Sequence, residues 1–221
     1  MKLQGLRINF LGDSITEGVG ASSKDTVYHA VLAKEVGLSQ ANNYGISGTR
    51  FAIQKGTEKC PKDDYVDVNS FCERFDQMAD ADVVVVFGGT NDYGHGDAPL
   101  GSFEDRTPDT FYGACHYLFS GLVRKYLGKP IVIMTPLHRI NELEIPDMKM
   151  PGDYGDLKTY TNIIREVAEF YSLPVLDLFA TSGLQPAIKE IQETYIPDGL
   201  HPNDKGNEVI AHKLRMFLES L

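Results

Sequence analysis

Cysteine is scarce in this chain of 221 residues, which carries three: Cys60, Cys72 and Cys115. Three scattered thiols cannot build a disulfide framework, and an odd number leaves at least one unpaired. They are expected to be buried or inert thiols of a reducing compartment. Long apolar runs are also missing. Met1–Arg7 carries Lys2 and Arg7, but the apolar stretch that follows, Ile8–Leu11, is short and broken by Asn9. A secretory signal needs an apolar region of about 7–15 residues. Nothing approaches the roughly 20 residues that span a bilayer. These shortages predict a soluble, cytoplasmic protein. Positive charge is the third deficit, with 21 Lys and Arg against 31 Asp and Glu, a net charge of −10. Nucleic acids and anionic membranes favour basic faces, so neither is an expected partner.

What is present is ordinary globular material, 42% hydrophobic and 24% charged, which excludes global disorder. Strand-like and helix-like stretches alternate from end to end. The expected strands are Leu6–Leu11, Asn42–Ile46, Asp82–Phe87, Pro130–Thr135 and Pro174–Leu178. The expected helices are Thr26–Val36, Thr110–Leu127, Asp156–Tyr171 and Asp204–Leu221. The unbroken run Val83–Val86 suits a parallel strand covered on both faces. Such alternation predicts an α/β protein with a parallel sheet between two helical layers. No linker, repeat or composition break divides residues 1–221, so a single domain is expected. Two segments, Lys55–Asn69 and Leu137–Gly155, are too irregular for the repeat. Each is expected to be either a binding loop or exposed surface.

In open parallel sheets ligands sit beyond the carboxyl ends of the strands. The polar residues at those ends are therefore the candidates for chemistry. Ser14 follows the first strand in Gly12-Asp13-Ser14-Ile15-Thr16. A serine on such a turn is either a helix N-cap or a nucleophile, and the second role needs a base with an orienting carboxylate. Two Asp-x-x-His arrangements could supply them, Asp92/His95 and Asp198/His201. Local chemistry does not choose between them, although Pro197 and Pro202 should stiffen the second. An acyl-transfer site must also stabilise a developing oxyanion with preorganised donors. The Ser14 amide, the Gly48 amide and the Asn91 side chain stand after three successive strands and could converge on one oxygen.

Taken together these residues resemble the SGNH/GDSL hydrolases. The resemblance rests on Gly12-Asp13-Ser14-Ile15-Thr16, on Gly48 within Asn43–Gly48, on Gly89-Thr90-Asn91-Asp92, and on Asp198-Gly199-Leu200-His201-Pro202. The four blocks occur in the family's order and bracket nearly the whole chain. The first reads Gly-Asp-Ser-Ile, with Ile15 where the family name has leucine. Thr16 stands where a Gly-x-Ser-x-Gly elbow needs glycine, which separates the chain from the α/β-hydrolases. The resemblance implies a three-layer α/β/α flavodoxin-like fold with a mostly parallel five-stranded sheet. It also implies Ser14 as nucleophile, His201 as base and Asp198 as its orienting acid. The oxyanion hole would be formed by Ser14, Gly48 and Asn91, and His95 would be a bystander.

The expected activity is that of a serine esterase acting through an acyl-enzyme, with no metal and no cofactor. Its expected partner is a small-molecule ester, with small acyl or O-acetyl esters such as acetylated carbohydrates preferred. Lysophospholipase and thioesterase activities belong to the same resemblance. Two other classes compete. One is a non-catalytic flavodoxin-like module holding an anion or nucleotide on Gly12–Gly20. The other is a metal phosphoesterase built on Asp13, Asn91, Asp92 and His201. The sequence assigns no oligomeric state, and it leaves Asp177 either lining the site or capping the next element.

Overall fold

The computed structural model describes residues 1–53, 70–145 and 154–221. The 55–69 segment, Cys60 included, and part of the 137–155 segment lie outside the described residues. In chain order the first half comprises β1 (Arg7–Gly12), α1 (Ser14–Glu17), α2 (Tyr28–Val36), β2 (Gln40–Gly45), α3 (Phe71–Arg74), β3 (Val83–Phe87) and α4 (Thr90–Gly94). The second half comprises α5 (Phe111–Lys125), β4 (Ile131–Met134), α6 (Leu157–Phe170), β5 (Val175–Leu176), α7 (Leu178–Thr181), α8 (Lys189–Tyr195) and α9 (Asp204–Ser220). The five strands form one sheet in the order β2-β1-β3-β4-β5, and every pairing is parallel. That is the flavodoxin-like order, in which β1 and β3 flank the switch point where ligands bind.

The valine run of β3 explains the layering. Side chains alternate across a strand, so Val84 and Val86 face one core while Val83, Val85 and Phe87 face the other. The first core is closed by α5 and α6, through Phe111, Leu118, Phe119, Tyr160 and Ile164. The second is closed by α2 and α9, through Tyr28, Leu32, Ile210 and Leu214. All four valines are buried, and each contributes about 1.5–3 kcal/mol of transfer free energy. No face of this strand is left for polar residues, which is why the run is unbroken.

Side-chain caps set the long helices. Thr110, Asp156 and Asn203 accept from the backbone N–H of Gly113, Thr159 and Gly206. Most boundaries fall within one or two residues of expectation, and three of the differences have a clear local cause. Lys24–Thr26 forms a single 3-10 turn, and the helix proper begins at Tyr28. β2 runs Gln40–Gly45, two residues earlier than expected, because this edge strand is largely polar and gives no apolar pattern to read. β5 is limited to Val175–Leu176, and Asp177 caps α7 by accepting from Ala180 N at 3.1 Å. Asp177 also receives Thr135 Oγ1 at 3.0 Å and pairs with Arg165 at 2.8 Å. The capping role is therefore the one observed. Cys72 and Cys115 are buried and free. Among the described residues, no helix is long and apolar enough to cross a membrane.

Candidate functional site

β1 ends at Gly12, and α1 starts two residues later. Asp13 caps α1 by accepting from Ile15 N at 3.0 Å, which leaves Ser14 as its first residue. Ser14 Oγ lies 3.0 Å from His201 Nε2, and His201 Nδ1 lies 2.6 Å from Asp198 Oδ2. The other Asp198 oxygen accepts from Leu200 N at 2.9 Å and His201 N at 2.7 Å. One carboxylate therefore shapes the turn and meets the ring it carries. The Asp198 side chain is 55% exposed, against 17% for His201. Partial burial pushes the Asp198 pKa up, but the His201 and Leu200 hydrogen bonds outweigh it and hold the carboxyl below its ordinary value.

Gly48 sits at φ +74, the left-handed region that a glycine adopts without penalty. Its turn is closed by Thr49 N and Thr49 Oγ1, both donating to Ile46 O. Glu17, at the end of α1, fastens the same turn by accepting from Ser47 N and Ser47 Oγ at 2.6 and 2.5 Å. Asn91, in α4, donates Nδ2 to Thr49 O at 3.0 Å and so is held beside this turn. Neither Ser14 N–H nor Gly48 N–H is consumed by a hydrogen bond among the described residues. Ser14, Gly48, Asn91 and His201 line one cleft of about 300 Å³. The structure thus brings together Ser14, Gly48, Asn91 and His201, with Asp198 behind His201, the five residues that the resemblance implies.

The rival pair is arranged differently. The Asp92 carboxylate accepts from Phe51 N and Ala52 N, both at 3.0 Å, and fastens α4 to the chain beyond Gly48. His95 takes a hydrogen bond from Arg50 Nη1 on Nδ1 at 2.7 Å. It nevertheless lines the Ser14 cleft, so it is a wall residue of the site. Among the described residues, no three His, Cys, Asp or Glu side chains gather as a metal-binding group. Asp92 spends both oxygens on backbone N–H groups and Asp13 gives one to Ile15 N, which disfavours the pair as metal ligands.

Two arginines escaped sequence reasoning. Arg74 is buried and donates to Gly12 O at 2.7 Å, Tyr44 O at 2.5 Å and Thr49 Oγ1 at 3.1 Å. It ties the carboxyl ends of β1 and β2 to the Gly48 turn. Burial lowers its pKa to about 10, with Asp13 opposing the shift. Asp13 moves the other way, up to about 7, chiefly through burial and further through Asp92, against the Ile15 N–H bond and Arg74. Arg139 follows β4 and forms another part of the cleft wall. α3 starts at a Ser70-x-x-Glu73 pattern, which marks a helix start but does not indicate the target of its arginine. Arg139 gave no signal beyond its place in an irregular segment.

The described part of that segment is well anchored. Glu142 meets His138 Nδ1 at 2.8 Å and accepts from Arg139 N at 3.1 Å and Gln185 Nε2 at 3.2 Å. Ile140 N donates to Gly199 O at 3.0 Å, which joins the segment to the turn bearing His201.

The molecule is a parallel α/β protein with a Ser–His–Asp hydrogen-bonded line at the carboxyl edge of its sheet. The sequence matches the GDSL-like lipase/acylhydrolase family over residues 10–209, and the chain belongs to that family. One solved structure is 33% identical, with 100% of this chain and 99% of that chain covered and a TM-score of 0.83. Another, from Lactobacillus plantarum, is 32% identical over 98% of both chains, with a TM-score of 0.80. An acetyl xylan esterase shares the fold at 20% identity, covering 95% of this chain and 98% of its own, with a TM-score of 0.61. No curated protein matches the sequence significantly.

Proposed function

We propose that the protein is a serine esterase and that the observation carrying this assignment is the line Ser14 Oγ–His201 Nε2–Asp198. Ser14 Oγ attacks the ester carbonyl while His201 Nε2 takes its proton. Asp198 holds the Nδ1 proton and stabilises the imidazolium. The carbonyl oxygen becomes an oxyanion held by Ser14 N–H, Gly48 N–H and the Asn91 amide. The bond to the alcohol then breaks, His201 returns its proton to the leaving oxygen, and Ser14 keeps the acyl group. Water repeats the sequence, giving the free acid and restoring Ser14. The two unconsumed backbone N–H groups, and the Asn91 nitrogen held beside them, support the oxyanion assignment.

For substrate, we favour small acyl or O-acetyl esters, acetylated carbohydrates among them. The modest cleft volume and the shared fold with an acetyl xylan esterase support this choice. Lysophospholipase or thioesterase activity draws instead on the exposed apolar residues Val19, in the cleft wall, and Ile140 beside it. Esters graded from acetyl to dodecanoyl separate the two.

The test of the chemistry is para-nitrophenyl acetate hydrolysis by wild type, Ser14→Ala and His201→Ala, with and without EDTA, together with fluorophosphonate labelling. Both substitutions should abolish turnover, the probe should modify Ser14, and EDTA should have little effect. Full activity in Ser14→Ala would refute the assignment, and loss on chelation would favour metal chemistry.

A further inference from the structure

Arg139 takes no part in the proton transfers above, yet its guanidinium stands in the wall of the same cleft. Nη1 donates to Thr90 O and Thr90 Oγ1, both at 3.2 Å, and the group lies over the Tyr93 ring at 5.5 Å. Among the described residues Nε and Nη2 have no hydrogen-bond partner, and no carboxylate forms an ion pair with Arg139. Burial lowers its pKa, against the opposing pull of Tyr93, Asp13 and Asp198. A guanidinium remains charged throughout the physiological range. A partly desolvated cation without a paired carboxylate is costly, and such groups concentrate where a ligand supplies the counter-charge.

The surroundings preorganise this cation. Its backbone is fastened by Glu142 and by the Ile140–Gly199 hydrogen bond. A Cβ on Gly94 would come within 2.8 Å of Arg139 Nη1, so the missing side chain makes room for the guanidinium. Arg139 and Gly94 also line an adjoining pocket of about 210 Å³, which contains Glu144. Glu144 disfavours a negative ligand on that far side, which leaves the side facing Ser14.

We propose that Arg139 is a substrate-recognition residue that pairs with a carboxylate carried by the ester, so that the enzyme prefers anionic esters to neutral ones of the same size. The carboxylate sits on either the acyl half, as in a dicarboxylic half-ester, or the alcohol half, as in an O-acylated acidic sugar. This proposal rests on the esterase assignment. It adds a charge requirement that neither the family nor the fold implies.

The experiment compares kcat/KM within two matched pairs. Para-nitrophenyl hemisuccinate against para-nitrophenyl butyrate tests the acyl half, and 4-acetoxybenzoate against 4-acetoxybenzamide tests the alcohol half. In wild type one anionic member should be favoured by about ten-fold or more, as a charge-assisted pair allows. Arg139→Gln should bring that ratio to about one, chiefly through KM, and Arg139→Lys should restore part of it. Added salt should narrow the wild-type preference. Gly94→Ala, which displaces the guanidinium without removing its charge, should also reduce the ratio. Ser14-dependent hydrolysis without anionic preference would overturn the proposal alone. An Arg139→Gln loss equal for both members of each pair would also overturn it, leaving Arg139 as a brace for Thr90. No hydrolysis of any of the four esters would instead overturn the esterase assignment.

Discussion

Replacing Asp198 with asparagine tests the exposure of the proposed orienting acid. Asparagine keeps an oxygen for the backbone N–H groups of Leu200 and His201, so the turn should survive. It then offers an amide N–H where His201 Nδ1 needs an acceptor, which favours the tautomer unable to take the Ser14 proton. The lost attraction between carboxylate and imidazolium can be bounded from the 2.6 Å contact. Coulomb's law gives about 6 kcal/mol at an effective dielectric of about 20 and about 1.6 kcal/mol in bulk water. Asp198 is more than half exposed while His201 is largely covered, so an intermediate value of about 3 kcal/mol applies. That corresponds to a loss of about 10²-fold in kcat, less than the roughly 10⁴-fold attributed to a buried orienting acid. Steady-state hydrolysis of para-nitrophenyl acetate supplies the rate, and thermal unfolding checks that Tm is little changed. A loss of 10⁴-fold or more would show that solvent does not weaken this pair. A loss under about three-fold with an intact fold would remove Asp198 from the mechanism.

Two further outcomes follow from the same geometry. Asn91→Ala should lower kcat by about 10²–10³-fold with a smaller effect on KM, the usual consequence of losing one oxyanion donor; an equal rise in KM at unchanged kcat would refute that role. Asp13, whose pKa burial raises to about 7, binds more protons in the folded than in the unfolded state. Its contribution is complete below about pH 4 and is lost as pH rises through about 7. Asp13→Asn should therefore raise Tm relative to wild type more at pH 8 than at pH 5, and a pH-independent difference between the two proteins would contradict the shift.

The residues that sequence reasoning placed well are those whose local chemistry is self-contained. Val83–Val86 has only one way to be buried on both sides. Asp13 and Ser14 sit on a strand-to-helix turn that needs a cap and turns the next hydroxyl toward His201. Asp198 and His201 are close enough in sequence to meet without help from the fold. Charged residues acting at long range were not legible. Arg74 reaches Gly12 O and Tyr44 O across separations of 62 and 30 residues, and Glu17 reaches Ser47 across 30. Nothing in the neighbouring sequence of either names its partner. β2 starts earlier than expected because a half-buried, largely polar strand lacks apolar periodicity. β5 was overextended because the apolar Leu178 that seemed to continue it instead opens a capped helix.

The hydrogen bond from Ile140 N to Gly199 O has a consequence for energy transfer within the site. It connects the backbone beside Arg139 to the turn that carries His201, so the proposed anion site and the proposed base share one strut. If an anion binds Arg139 as proposed, the order it imposes on residues 139–140 is passed to the histidine turn through this bond. Coupling of this kind is reciprocal. An inhibitor fixed on His201 should tighten anion capture at Arg139 to the same degree, and amide exchange at Ile140 and at the 199–201 turn should slow together.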